Sequence, residues 1–315
     1  MIIPENRYNK PRKRKSGSGK FIIIIIIVII SFVFLYFGMR DRIAGYISAT
    51  TIETPAEQTL EMLWSSKKYK ELSERCEDIL TYDPLNAESL IYNGFSYFYL
   101  GIAQFTLEDQ LPLLDLAIIN LRKALLLNSS PLSGKVNYIL GKSYYHKGRF
   151  YLDQAIFHLK KSIEVGYINE DTYKYMGLCY SELGFYEDGI EYFLKSIADV
   201  KDDMLLLVIG QTYHKLGDNV NSELYLKRAI KLSDDFRVEI KSRFLLGKIY
   251  FEEGKLQQAE NEYNLILSKD QNSADAYYYL GEIYSKRENT IKARAEWRKA
   301  LQLDPSHYGA LLRLY

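Results

Sequence analysis

The chain is poor in the residues that build cross-linked or metal-held folds. Two cysteines in 315 residues cannot frame a disulfide scaffold, and four histidines with no H-x₃-H or H-E-x-x-H pair leave little for a metal. No G-x-x-x-x-G-K-[ST], G-x-G-x-x-G or G-x-S-x-G occurs, which removes the common phosphate-cradling, dinucleotide-binding and nucleophile-presenting devices. Gly17-Ser18-Gly19-Lys20 shares only the end of a phosphate loop, and it precedes an apolar run rather than following a strand. His146, His158, His214 and His307 fall in separate segments and read as surface or groove residues, while Cys76 and Cys179 read as small core hydrophobes. The sequence thus offers no catalytic residue, no metal ligand and no cofactor site, and it is not expected to be an enzyme.

Proline is missing from 132–304, a run of 173 residues. Only a mostly helical or a strand-rich chain tolerates that, and its turns must then be made by glycine. Charge of one sign is also lacking, with 41 Lys+Arg against 40 Asp+Glu. The balance hides a split: residues 1–42 carry nine basic and two acidic side chains, which leaves 32 basic and 38 acidic in 43–315. A nucleic-acid-binding domain would carry the opposite sign, so nucleic acid is excluded as a partner of the main body.

Residues 21–38 form the one long apolar run, FIIIIIIVIISFVFLYFG, eighteen residues without a charge. At about 1.5 Å per residue this is a spanning length. The basic tail 1–20 before it, with seven basic residues against Glu5, sets the orientation expected from the excess of cytoplasmic charge. The run exceeds the usual apolar core of a signal peptide, and 43–49 offers no clear A-x-A cleavage site. The expectation is an uncleaved anchor in a bacterial inner membrane, with a lipid-bilayer contact through 21–38, a linker over 39–52 and the rest of the chain periplasmic.

Glycine is not scattered. Gly94, Gly141, Gly177, Gly210, Gly247 and Gly281 recur at 33 to 47 residues, and each is followed three residues later by tyrosine: Tyr97, Tyr144, Tyr180, Tyr213, Tyr250 and Tyr284. Seven residues after the first five stands a second glycine: Gly101, Gly148, Gly184, Gly217 and Gly254. The first glycine suits a close approach of two helices, and the second suits the left-handed residue that closes a helix. At the sixth unit the second position is Glu288, so that turn is expected to close otherwise. This period, with Tyr277, Leu280, Gly281, Tyr284, Ala293, Trp297, Ala300 and Pro305 in the last unit, resembles the tetratricopeptide repeat (TPR).

The resemblance implies an all-α, right-handed superhelical solenoid of helix-turn-helix repeats, here preceded by one transmembrane helix. Units are expected at 53–86, 87–133, 134–169, 170–202, 203–239, 240–273 and 274–307, with 308–315 as a partial capping helix. The second unit carries eleven extra residues within Ile102–Leu116. Pro112 is expected to open its second helix, and Leu107, Leu111, Leu113, Leu114 and Leu116 either pack on the first repeat or form a projecting contact surface.

By the same resemblance the first helix of each repeat lines an inner groove. That face would carry Tyr92, Phe95, Tyr99, Tyr138, Lys142, Tyr145, His146, Lys174, Gln211, His214, Lys215, Phe244, Lys248, Phe251, Tyr278 and Glu282. Aromatic area mixed with lysine suits a peptide or amphipathic helix of some acidic character. No Asn stands one position past a packed glycine, which argues against the clamp of the chaperone-tail-binding members. The functional expectation is a membrane-anchored scaffold that joins other proteins in an envelope complex, such as flagellar-motor, secretion or division machinery. Its alternatives are a periplasmic assembly chaperone and a non-catalytic targeting subunit of an envelope enzyme.

Overall fold

The computed structural model describes residues 59–127, 132–197 and 202–315, and every regular element among them is helical. In chain order the α-helices are α1 (Leu60–Ser65), α2 (Tyr69–Tyr82), α3 (Ala87–Ile102), α4 (Leu107–Leu126), α5 (Ser133–His146), α6 (Leu152–Glu164), α7 (Thr172–Leu183) and α8 (Tyr186–Ser196). They continue with α9 (Asp203–Leu216), α10 (Asn219–Leu232), α11 (Phe236–Glu252), α12 (Leu256–Lys269), α13 (Ala274–Lys286), α14 (Thr290–Leu303) and α15 (Tyr308–Leu314). Short polar side chains start many of them. Asn86, Asp202, Asp218, Ser273 and Asn289 each accept a hydrogen bond from the backbone N–H three residues on, satisfying one donor that the first helical turn leaves open.

Odd-numbered helices pair with the even-numbered helix that follows, and six of the pairs are held at the recurring glycine. A Cβ on Gly94, Gly141, Gly177, Gly210, Gly247 or Gly281 would lie 2.4–2.8 Å from Leu121, Leu159, Phe193, Leu226, Tyr263 or Trp297 of the second helix. The tyrosine three residues on then covers the pair: Tyr180 stacks on Tyr192 at 5.4 Å and Tyr213 on Tyr225 at 5.5 Å. First helices of successive pairs also touch, in α1/α3, α3/α5, α5/α7 and α9/α11, to an extent the second helices do not match. The all-α stack over Leu60–Tyr315 is therefore a superhelical repeat arrangement with the odd helices on its inner side. Its core is a chain of apolar clusters passed from one pair to the next rather than one central core.

Two local expectations are corrected. Glu288 closes its helix as the glycines do: its φ is +60°, and the N–H of Asn289 bonds to Tyr284 O at 2.9 Å, the bond that Lys255 makes to Tyr250 after Gly254. The motif's hydrogen bond outweighs the roughly 1–2 kcal/mol that a side chain pays in the left-handed region. Pro112 does not open a helix. α4 starts at Leu107, where Thr106 caps the N–H of Asp109 at 3.2 Å, and Pro112 lies inside it. The extra residues therefore lengthen the second helix at its start, while α3 ends at Ile102.

The membrane anchor is also corrected. No helix among the described residues is long and apolar enough to cross a membrane. The apolar α3 has only 16 residues, and the 20-residue α4 carries Glu108, Asp109, Asp115, Arg122 and Lys123. The expected span 21–38, with the tail 1–20 and linker 39–52, lies outside the described residues. The inner-membrane localisation, the lipid contact and the envelope assignment that rested on the span have no support in the structure.

Candidate functional site

The inner face divides into a closed half and an open half. Near its start, the Trp64 ring fills the space between α1 and α3, with ring centroids 5.2 Å from Phe95, 5.5 Å from Tyr99 and 6.3 Å from Tyr92. The Lys135 ammonium caps it at 4.3 Å. Tyr92 and Phe95 are buried as a result.

The next stretch is closed by a polar network. Lys142 Nζ lies 2.8 Å from Asp171 and 3.0 Å from Tyr138 Oη, above the Tyr175 ring at 4.7 Å. The Tyr138 hydroxyl donates to Asp171. Burial, then this bond to a carboxylate, pushes the Tyr138 phenol well above its ordinary range. Beside it His146 Nε2 meets the Tyr175 hydroxyl at 3.0 Å, and Tyr145 donates to Glu182 at 3.0 Å. Lys174 is held by Asp202 at 2.6 Å. Tyr138 and Lys142 are buried, and Tyr145, His146 and Lys174 are half-buried with their polar atoms committed within the chain.

Two histidines in this half give a prediction. Burial, then the Lys142 ammonium, lowers His146 to about 4; Asp171 partly opposes this. Burial, then Arg122, lowers His158 to about 4, and His158 Nδ1 donates to Asn137 at 2.8 Å. An unfolded histidine titrates near 6.5, so between pH 6.5 and 4 the unfolded chain binds more protons. The contribution of these two histidines to stability is complete above pH 6.5 and lost as pH falls towards 4. Melting followed by circular dichroism should show a lower Tm at pH 5 than at pH 7.5. The drop should shrink in a His146→Gln, His158→Gln variant, and an undiminished drop would place its origin elsewhere.

The other half is open. A cavity of about 600 Å³ lies between α9, α11 and α13, lined by Gln211, His214, Lys215, Lys241, Phe244, Leu245, Lys248 and Tyr279. Five of these were expected on the inner face, namely Gln211, His214, Lys215, Phe244 and Lys248. Lys241, Leu245 and Tyr279 were not among the residues expected there. The signal was present: Lys241, Phe244, Leu245 and Lys248 follow the i, i+3, i+4, i+7 pattern of one helical face. His214 Nδ1 is tied to Asn219 Oδ1 at 3.0 Å, which leaves Nε2 for a guest. Lys248 stands 3.8 Å from Glu252, with nearly half its side chain exposed. Phe251 is covered by the Lys286 ammonium at 3.9 Å, Tyr278 packs on His307 at 4.9 Å, and Glu282 holds Arg313 at 2.6 Å.

The insert puts Leu114 into the core against Gly101, whereas Phe105, Leu107 and Leu116 are exposed. Among the described residues no group of three or more His, Cys, Asp or Glu side chains could hold a metal ion. Cys76 and Cys179 are free and buried, and burial raises each thiol to about 12, away from thiolate chemistry.

Comparison with known proteins supports this architecture. The tetratricopeptide-repeat family model matches residues 274–307, and a second model of the same repeat matches 205–236 and 240–272. The matched stretches run from α9 to the end of α14 and contain every residue that lines the cavity. A human relative, protein O-mannosyl-transferase TMTC1, is 26% identical over 140 residues, 44% of this chain. The match spans 16% of that protein's length.

Among solved structures, the C-terminal part of a TPR protein from Cytophaga hutchinsonii superposes with a TM-score of 0.62 at 17% identity, over 81% of this chain and 98% of that one. MamA does so with a TM-score of 0.50 at 22% identity, over 56% and 94%. PilF of Pseudomonas aeruginosa gives 0.51 at 16%, over 70% and 95%. At these identities the likeness concerns the fold alone. The all-helical repeat architecture, with no metal-holding cluster among the described residues, is consistent with a non-catalytic scaffold.

Proposed function

We propose that this chain is a TPR scaffold that holds a partner protein against the inner face of its last three helix pairs. The observation that carries the reading is the contrast along that face. The first half is filled by the chain's own Trp64, Lys142 and Tyr175, whereas α9, α11 and α13 leave a cavity of about 600 Å³ with Phe244, Lys215 and Lys248 on its walls. Phe244 is only partly buried against the core, and Lys215 and Lys248 are exposed; apolar and cationic surface of this kind suits recognition. The residues put forward for contact are His214, Lys215, Phe244 and Lys248, with Phe251 at the margin.

The test is site-specific photocrosslinking in the cells that make the protein. Benzoylphenylalanine at position 248 should give a discrete, near-stoichiometric adduct with one protein, whereas the same probe at position 231, on the exposed face of α10, should not. Adducts from 231 and none from 248 would put the partner on the outer face.

A further inference from the structure

The chemistry of the open cavity narrows what fits it. The chain from residue 43 onward is net acidic, with 38 acidic against 32 basic residues, yet three of the eight lining residues are lysines and none is a carboxylate. The side chains of Lys215 and Lys241 make no ion pair or hydrogen bond among the described residues. Carboxylates near the lining are Glu252, 3.8 Å from Lys248, Asp235, already paired to Arg237 at 3.0 Å, and, beside Tyr279, Asp275 and Glu282, which are paired to His307 at 3.1 Å and Arg313 at 2.6 Å. A cationic cluster of this kind within an acidic domain leaves its counter-charge to the guest. Phe244, Leu245 and Tyr279 supply apolar wall between the lysines.

A second, independent feature lies beneath that wall. Tyr263 of α12 packs its ring tip on Gly247, stacks on Tyr279 at 5.1 Å and lies 6.0 Å from Phe244. Its hydroxyl is fully buried and has no hydrogen-bond partner. Packing does not require that hydroxyl. The same place against the packed glycine is filled by Leu121, Leu159, Phe193 and Leu226 in other pairs, Phe193 with a ring of the same shape, and by Trp297 in the last pair, whose buried Nε1 also has no partner. A buried donor without an acceptor is costly, and the ring that carries it packs against two side chains that line the cavity.

Resting on the scaffold reading above, we propose that the occupant of this cavity is an acidic peptide segment with one large apolar side chain. Its carboxylates face Lys215, Lys241 and Lys248, and the apolar side chain lies on Phe244 and Tyr279. The Tyr263 hydroxyl donates its missing hydrogen bond to this segment once Phe244 yields to it.

The test uses the whole chain and three fluorescent probes: a twelve-residue Asp/Glu peptide with a central Phe, its Asn/Gln counterpart, and a single-stranded oligonucleotide. The acidic peptide should bind, more weakly at higher salt, and the Asn/Gln peptide and the oligonucleotide should not compete. A Lys241→Gln, Lys248→Gln variant should bind the acidic peptide at least about tenfold more weakly. Tyr263→Phe should keep or raise the Tm while lowering affinity about fivefold. Equal binding of the Asn/Gln peptide would show that charge is not read, and equal binding of the oligonucleotide would show a general polyanion site; either overturns the proposal. Unchanged affinity in Tyr263→Phe removes the hydroxyl from it. If no acidic peptide binds while the crosslink from position 248 persists, this occupant is wrong and the scaffold reading stands. Loss of both removes the scaffold reading as well.

Discussion

Replacing Gly177 with leucine should lower the thermal midpoint by several degrees and loosen more than one helix pair. An added Cβ would lie 2.4 Å from Phe193 Cδ1 and 2.8 Å from its Cγ, and the base of a ring cannot swing aside as a chain end can. Phe193 is fully buried and shares a small cluster with Leu205 and Ile209 of α9, so its displacement reaches the next pair directly. Overpacking of this kind costs ~1–3 kcal/mol or more, which for a domain of this size is roughly 2–4 °C per kcal/mol. Because a repeat is stabilised chiefly by its neighbours, hydrogen exchange should quicken across α7 to α10 rather than at one turn. Gly210→Leu, with its Cβ 2.7 Å from Leu226 Cγ, should behave alike. Unchanged melting of both variants would mean that these glycines do not hold the pairs together.

The all-helical repeat architecture was legible because its contacts are local. A glycine and the residue it packs against lie within one helix pair, so the period and the small residue are written in a single stretch of sequence. Glu288 escaped that logic, since a hydrogen bond from Asn289 to Tyr284 can impose a left-handed residue where composition suggests none. Pro112 escaped it because a proline in α4 is compatible with a start at Leu107 once Thr106 caps the helix. The inner face was harder still. Tyr138 and Lys142 carry the same residue types as an open binding surface, but Asp171, about thirty residues on, draws them together and closes the face. Trp64 does the same to Tyr92 and Phe95 from a helix of only six residues, whose unit lacks the glycine signature. Along α9 and α11, His214, Lys215, Phe244 and Lys248 line a cavity instead, while Phe251 lies under Lys286.

The closed half gives the second large effect. Asp171→Leu should cost about 3–5 kcal/mol, because it strands the Lys142 ammonium in a site where that side chain is only 9% exposed. The Tyr138 hydroxyl at 3.0 Å and the rings of Tyr175 and Phe98 at 4.7 and 5.6 Å soften the loss, which argues for the lower end of that range. Lys142→Met should cost much less. It removes the buried charge itself, and Asp171, 29% exposed, can turn to water while still accepting from Tyr138. The Lys142→Met, Asp171→Leu double variant should therefore be more stable than Asp171→Leu alone, a positive coupling that chemical denaturation of all four proteins measures. Additive losses would mean that the two charges act separately and that the network does not close this face. Neither residue lines the open cavity, so crosslinking from position 248 should survive in Lys142→Met. Its loss there, with the fold intact, would extend the binding surface into the half that the chain fills for itself.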